Sequence, residues 1–135
     1  MIVVDASALT DFLLGRPQAV DAVEQELTGR EHEPLHAPEL IEPEVLNALR
    51  RLASSGSVTE RRATEAVRDL ADIRLIRYPH APLRERVWEL RHNLTAYDAT
   101  YVALAEALGA SSLLTGDRGL AAQARASLGD RVRHL

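Results

Sequence analysis

Four carboxylates of this 135-residue chain stand at positions from which they could act together. Two follow apolar runs typical of buried strands, and two lie on helical patterns with apolar faces: Asp5, Asp117, Asp98 and Glu44. Each has an ordinary explanation by itself. A strand-ending Asp can cap the next helix, an acidic residue in a first helical turn complements the helix dipole, and a helix Glu is often solvated. All these explanations stay open for single residues.

Convergence of these four carboxylates in one crevice would require protons or cations. Two unit charges about 4 Å apart repel by about 4 kcal/mol at an effective dielectric constant near 20. Because the chain has no Cys, the ligands would all be oxygens, which suits Mg²⁺ or Mn²⁺. Carboxylate-bound ions of this kind support phosphodiester hydrolysis by activating water and stabilising the leaving oxygen.

The elements that must position these residues alternate along the chain. Strands are predicted at 2–5, 35–37, 74–77, 112–114 and 132–135, and helices at 6–14, 18–27, 40–55, 59–70, 82–92, 95–108 and 120–126. This alternation predicts an α/β fold with a parallel sheet covered on both faces, in a single domain over 1–135. Ligands of such sheets bind beyond the carboxyl ends of the strands, and Asp5 stands at the carboxyl end of the first strand.

Pro43 interrupts the long helical pattern of residues 40–55 and predicts a break or kink near Glu42. Because the proline disturbs the phase of the helix, Glu39 and Glu42 compete with Glu44 for the inward position. Glu44 is favoured, since it stands three residues after Ile41 at the edge of the apolar stripe.

Composition excludes several other classes of protein. All basic residues are Arg, 16 in number, and a phosphoacceptor receiver domain or a haloacid-dehalogenase-type phosphatase would use a lysine. The turn after the first strand has no Gly, which argues against a dinucleotide or P-loop binder. The start of the chain shows no signal peptide, and no apolar run reaches membrane-spanning length. A cytoplasmic location is therefore expected. The net charge of −4 is unusual for a nucleic-acid binder and argues weakly against that class.

Three stretches in this order resemble the PIN-domain nucleases, and more narrowly the VapC toxins of type II toxin–antitoxin pairs. They are "VVDASAL" at the start, "PEVLNALRRL" around Glu44, and "LTAYDATYVALAEALGASSLLTGDRGL" at 94–120. The resemblance covers essentially the whole chain, with residues 57–92 similar in pattern only. It implies a PIN-like three-layer α/β/α fold with a five-stranded parallel sheet.

The resemblance also implies a Mg²⁺- or Mn²⁺-dependent endoribonuclease that inhibits translation and growth. Its acidic motif falls on Asp5, Glu44, Asp98 and Asp117 as catalytic residues and metal ligands, with Asp5 and Asp98 the most direct. Two hydroxyl residues are expected behind them, orienting carboxylates or water: Ser7 and Thr115. For both, local capping remains an alternative. None of the five His residues lies in an acidic motif.

The remaining expectations concern partners. Arg91 and Arg118 lie beside the acidic motifs and are candidates for phosphate contacts, although a surface ion pair would explain either one. The resemblance implies an RNA substrate, a cognate VapB-type antitoxin that wraps the helices around residues 17–55, a homodimer, and higher assembly with the antitoxin. The alternative is a PIN-like module that has lost catalysis and binds RNA or protein.

Overall fold

The computed structural model describes residues 1–135 and contains one sheet of five parallel strands. The strands are β1 (Ile2–Val4), β2 (Leu35–Pro38), β3 (Leu75–Tyr78), β4 (Ser112–Thr115) and β5 (Val132–His134). Their spatial order is β3-β2-β1-β4-β5. The first three strands therefore extend the sheet in one direction from β1, and the last two extend it in the other. The predicted parallel sheet is confirmed.

Seven α-helices flank the sheet: α1 (Ala6–Leu13), α2 (Pro17–Leu27), α3 (Ile41–Ser54), α4 (Glu60–Asp72), α5 (Arg84–Glu89), α6 (Ala96–Ala107) and α7 (Arg118–Leu128). Helix α1 packs against α2, α3 and α4, whereas α6 packs against α5, α7, β1 and β2. Right-handed crossovers put α1–α4 on one face and α5–α7 on the other, since the sheet grows in opposite directions for the two groups. The result is the expected α/β/α arrangement.

The reversal of strand order lies between β1 and β4. Val4 is in register with Leu114, and the Asp5 amide donates to the Leu114 carbonyl oxygen at 3.0 Å. In open parallel sheets such a switch point is where ligands bind. The strand pair β1–β4 therefore sets the place of any site, and Asp5 and Thr115 lie at its carboxyl ends.

Two helix predictions need correction. Pro43 causes no break, because α3 begins at Ile41 and Pro43 occupies its first turn, where backbone N–H groups have no intrahelical acceptor. The helix predicted over 82–92 is shorter. A 3₁₀ turn at Ala81–Leu83 precedes α5, and the chain after Glu89 forms turns that lead to α6.

Helix α6 has the longest continuous buried run of any helix, as its nearly continuous apolar sequence predicts. Seven consecutive residues from Ala99 to Ala105 are buried between the sheet and the neighbouring helices. Its first turn, in contrast, is open to solvent at Ala96 and Tyr97. The helix therefore holds Asp98 rigidly at the boundary between the core and the surface.

Candidate active site

Asp5 is a buried carboxylate, with only 4% of its surface exposed. Its Oδ1 accepts the Ala8 amide at 2.8 Å, so the side chain caps α1 at its N-terminus. The same Oδ1 accepts the Ser7 hydroxyl at 2.6 Å, and Oδ2 accepts the Thr115 hydroxyl. The capping interpretation is therefore correct, and it accounts for only one of the three hydrogen bonds to Asp5.

Ser7 and Thr115 connect Asp5 to the turn that follows β4. The Gly116 amide donates to Ser7 Oγ at 2.8 Å, and the Asp117 amide donates to Thr115 Oγ1 at 2.9 Å. Each hydroxyl thus donates to Asp5 while accepting from this turn. The network locks the Asp5 carboxylate to the ends of both β1 and β4.

Glu44 and Glu42 diverge within the first turn of α3. Glu42 forms an ion pair with Arg77 of β3, away from Asp5, and Glu39 is exposed. Glu44 Oε1 is buried and has no hydrogen-bond partner. Of the three Glu residues that competed for the inward position, Glu44 is the one beside Asp5 and Asp98.

Asp98 and Asp117 each belong to a helix N-terminus. The Asp98 amide donates to Thr95 Oγ1 at 3.1 Å, so Thr95 caps α6 and places Asp98 in its first turn. Asp117 Oδ1 accepts the Leu120 amide at 2.8 Å and caps α7. Asp98 is half-buried, whereas Asp117 is exposed.

All four carboxylates line one cavity of about 200 Å³ at the carboxyl edge of β1 and β4. They reach it from both helix layers, with Glu44 on α3 and Asp98 on α6. The other lining residues are Ala6, Ser7, Ala48, Arg51 and Tyr101. The small side chains Ala6 and Ser7 on α1 and Ala48 on α3 leave this space open next to Asp5.

The charges in this cavity are poorly compensated. Burial raises the pKa of Asp5 to about 6, despite its three hydrogen bonds. Burial, together with the negative charges of Asp98 and Asp5, raises the pKa of Glu44 to about 7. Burial and the charge of Asp117 also raise the pKa of Asp98. The site therefore favours either bound protons or a cation.

The donor set fits a hydrated hard cation. No three acidic or histidine side chains are arranged to hold one ion among them. Mg²⁺ usually binds through one or two carboxylates and keeps several waters, so an all-protein cage is not required. Two buried oxygens in this cavity, Glu44 Oε1 and the Tyr101 hydroxyl, have no hydrogen-bond partner. Such unpaired atoms are expected where water or an ion completes the site.

Comparisons with known proteins identify the family of this chain. The PIN-domain family model matches residues 2–126. VapC ribonuclease Mb0985 of Mycobacterium bovis is 48% identical over 120 residues, covering 87% of this chain and 86% of the relative. Ribonuclease VapC1 of Mycobacterium tuberculosis is 46% identical over 122 residues, covering 89% of this chain and 88% of the relative. This chain belongs to the VapC group of the PIN-domain family.

Two solved structures support the fold of this PIN domain. The sarcin–ricin loop cleaving toxin VapC20 of Mycobacterium tuberculosis matches with a TM-score of 0.64 and 21% identity, covering 90% of this chain and 94% of that one. PAE2754 from Pyrobaculum aerophilum matches with a TM-score of 0.59 and 27% identity, covering 90% and 83% of the two chains. The PIN-like fold class is confirmed.

Two cavity residues of this PIN domain were not predicted from the sequence. Arg51 lies two turns after Glu44 on α3, lines the acidic cavity and forms no ion pair. Tyr101 lies three residues after Asp98 on α6 and is buried against the same cavity. The helical spacing from the two acidic residues is the signal that could have identified both.

The two predicted phosphate-binding arginines lie outside this cavity. Arg91 lines a different groove, where its guanidinium lies 4.3 Å from the centre of the Trp88 ring. Arg118 is exposed in the first turn of α7, next to Asp117. The basic side chain that the fold brings to the acidic cavity is Arg51.

The histidines also lie outside the cavity. His36 is buried on β2, where its Nδ1 lies 2.8 Å from the Tyr78 hydroxyl and burial lowers its pKa. His80 Nε2 accepts the Leu40 amide at 2.9 Å. The other three are exposed: His32, His92 and His134.

Proposed function

We propose that this VapC-group PIN domain is a Mg²⁺- or Mn²⁺-dependent endoribonuclease, the toxin of a type II toxin–antitoxin pair. Cleavage of RNA would inhibit translation and growth. One observation carries the proposal: carboxylates from four separate segments line one cavity at the switch point of the sheet. The relatives with 46–48% identity are named ribonucleases, which supports RNA as the substrate.

The resemblance to the PIN-domain nucleases implies a role for each acidic residue. Asp5 and Asp98 would hold the ion most directly, and Glu44 and Asp117 would complete the site or hold its waters. Ser7 and Thr115 orient the Asp5 carboxylate through their hydroxyl donors. When bound, the ion supplies an activated water and offsets negative charge on the phosphate. No side-chain nucleophile is required.

Arg51 is proposed to hold the substrate phosphate. It is exposed at the mouth of the acidic cavity and has no competing ion pair. A planar guanidinium binds phosphate oxygens through two parallel hydrogen bonds. This contact would bring the anionic backbone to a cavity whose own residues repel it until a cation binds. Arg118, beside Asp117, stays a candidate for a second phosphate contact.

The partners follow from the same proposal. A cognate VapB-type antitoxin would cover the helices around residues 17–55. The exposed apolar side chain of Leu46, within that range, lines a shallow groove between α3 and α4 together with the exposed Val67 of α4, which supports an apolar contact surface at this place. We also propose that the chain acts as one domain, forms a homodimer and larger assemblies with the antitoxin, and works in the cytoplasm. No helix of the chain combines the length and apolarity needed to cross a membrane.

The direct test is RNA cleavage by the wild-type chain and by Asp5→Asn. With Mg²⁺ or Mn²⁺ present, the wild type is expected to cleave single-stranded RNA, and Asp5→Asn is expected to lose about 100-fold or more of that rate. The amide keeps the size of Asp5, and its oxygen can still accept the Ala8 amide and the Ser7 hydroxyl. Sequencing the 5′ ends of cleaved RNA would identify the target.

Two outcomes would contradict the metal mechanism. Cleavage that persists in EDTA would exclude a required divalent ion. Cleavage unchanged in Asp5→Asn would place the reaction outside this cavity. RNA binding without any cleavage by the wild type would favour the alternative of an inactive PIN-like binding module.

A further inference from the structure

A groove larger than the acidic cavity lies between α5 and the first turns of α6, on another side of α6. Its volume is about 620 Å³, which is within the usual range of about 300–1,000 Å³ for small-molecule sites. Trp88 of α5 lines it and has 67% of its surface exposed. Val87 and Ala96 extend the apolar floor. A contiguous apolar surface of this kind, with polar residues around it, indicates a binding site.

The two charged residues that line this groove, Arg84 and Arg91, are both basic, and no acidic residue lines it. Arg84 and Arg91 form no ion pair with any carboxylate of the chain. In a chain of net charge −4, an aromatic face beside two guanidinium groups without ion pairs is complementary to an anionic ligand.

Trp88 and Arg91 are arranged as a stacked pair. The Arg91 guanidinium lies 4.3 Å from the centre of the Trp88 ring, and its Nη1 donates to the Trp88 carbonyl oxygen at 2.8 Å. Unstacked RNA bases bind to aromatic rings and to guanidinium planes, and arginine also binds phosphate. The pair thus offers a flat surface for a base beside groups that bind the backbone.

Helix α6 connects this groove to the acidic cavity. Ala96 and Thr100 line the groove, whereas Asp98 and Tyr101 line the cavity. Because residues turn by about 100° each along a helix, Tyr97 lies between these two faces. Its side chain has 64% of its surface exposed. A strand that leaves the cavity toward the groove would therefore pass over a second exposed aromatic ring.

We propose that Trp88, Arg91, Arg84 and Tyr97 form a subsite that holds unpaired nucleotides of the RNA next to the cleavage position. The inference rests on the proposed function for its substrate class. A second copy of this chain fits this groove less well than RNA does. A twofold axis through the groove would place Arg84 and Arg91 against their own copies, and like charges facing each other are costly.

Trp88 is the single tryptophan of the chain, so its intrinsic fluorescence reports on this groove directly. The full chain in EDTA is titrated with a short single-stranded oligoribonucleotide of mixed sequence, end-labelled so that anisotropy measures binding independently. Saturable quenching of Trp88 is expected, with the same midpoint as the anisotropy change. Duplex RNA of the same sequence should quench much less, because its bases are already stacked.

Variants test the same contacts. Trp88→Ala is expected to weaken single-strand binding about 10-fold, in line with the stacking of one base, and Trp88→Phe should recover most of that loss. Arg84→Ala and Arg91→Ala should weaken binding and reduce its salt dependence. Arg125→Ala, which removes a basic residue from the last turn of α7, is the matched control and should bind normally.

Three outcomes overturn the subsite. RNA that binds by anisotropy without quenching Trp88 lies elsewhere, while the ribonuclease proposal stands. Shielding of Trp88 from acrylamide in the free protein, lost on dilution, would assign the groove to a second copy. Absence of RNA binding by both signals, together with absence of cleavage with Mg²⁺, would remove the subsite and the proposed function together.

Discussion

Asp5 combines a structural and a proposed catalytic role in one carboxylate. Its Oδ1 caps α1 through the Ala8 amide, and Ser7 and Thr115 orient it from two directions. The capping hydrogen bond restricts the rotamer of the Asp5 side chain, and the two hydroxyl hydrogen bonds fix the orientation of its carboxylate in the cavity. The structural and the functional explanations of this residue therefore depend on the same geometry.

The Thr115 hydroxyl provides a test at the scale of one hydrogen bond. Thr115→Val keeps the shape of this fully buried side chain but removes its hydrogen bond to Asp5 and the one it accepts from the Asp117 amide. Loss of such a supporting contact is expected to weaken Mn²⁺ or Mg²⁺ binding by about 10- to 100-fold, measured by calorimetry. Thr64→Val on α4, whose hydroxyl bonds only the Glu60 carbonyl oxygen, is the control. Unchanged metal binding in Thr115→Val would show that Asp5 needs no such support.

Helices α3 and α6 deliver acidic residues to the cavity from opposite faces of the sheet. In α3 the start of the helix at Ile41 sets the phase, so Glu42 points to Arg77 and Glu44 points to Asp5. In α6 the Thr95 cap sets the phase of Asp98. A helix start displaced by one residue would turn each carboxylate by about 100°, away from the cavity.

Matched Glu→Gln changes within one turn of α3 test this phase. Glu44→Gln is expected to lower metal-dependent RNA cleavage by about 10-fold or more, because it removes a negative charge from the proposed metal site. Glu42→Gln breaks a partly exposed ion pair with Arg77, a change typically of about 0–1 kcal/mol in stability, and should cleave normally. Equal effects of the two variants on cleavage would contradict the assignment of Glu44.

At the scale of the whole molecule, the acidic cavity couples stability to pH and to metal. The folded-state pKa values of Asp5 and Glu44 are raised to about 6 and about 7. At a pH between the unfolded-state and the folded-state pKa of each group, the folded chain binds more protons than the unfolded chain. Its free energy of unfolding therefore falls as pH rises through this range. For Asp5 the cost above its folded pKa is at most about 3 kcal/mol.

Thermal unfolding of the metal-free chain tests this coupling. From about pH 5 to about pH 8, these two groups are expected to lower the midpoint of wild-type unfolding. Asp5→Asn should unfold at a higher temperature than the wild type at about pH 8, since it removes the buried charge. Added Mg²⁺ should raise the wild-type midpoint more at about pH 8 than at about pH 5, because protons compete with the ion.

Two controls separate this coupling from general effects of pH. Asp130→Asn removes an exposed carboxylate remote from the cavity and should leave the metal response unchanged. A Mg²⁺ response of Asp5→Asn equal to that of the wild type would show that the ion binds elsewhere on the acidic surface. The wild-type midpoint should fall more than that of Asp5→Asn between the two pH values. Equal changes of the two midpoints would contradict the cost assigned to Asp5.

The sequence by itself determined the parallel sheet, the order of elements and the acidic quartet as a motif. These depend on local signals: apolar runs, helical periodicity, caps such as Thr95, and the position of Asp5 after β1. Only the tertiary structure decided how Pro43 is accommodated and that Arg51 rather than Arg91 lines the cavity. Those outcomes depend on helix phase and on contacts between distant segments, such as Glu42 with Arg77. The pairing of β1 with β4 brings Thr115 into contact with Asp5, although the two residues are 110 positions apart in the sequence. No local sequence pattern predicts a contact of that separation.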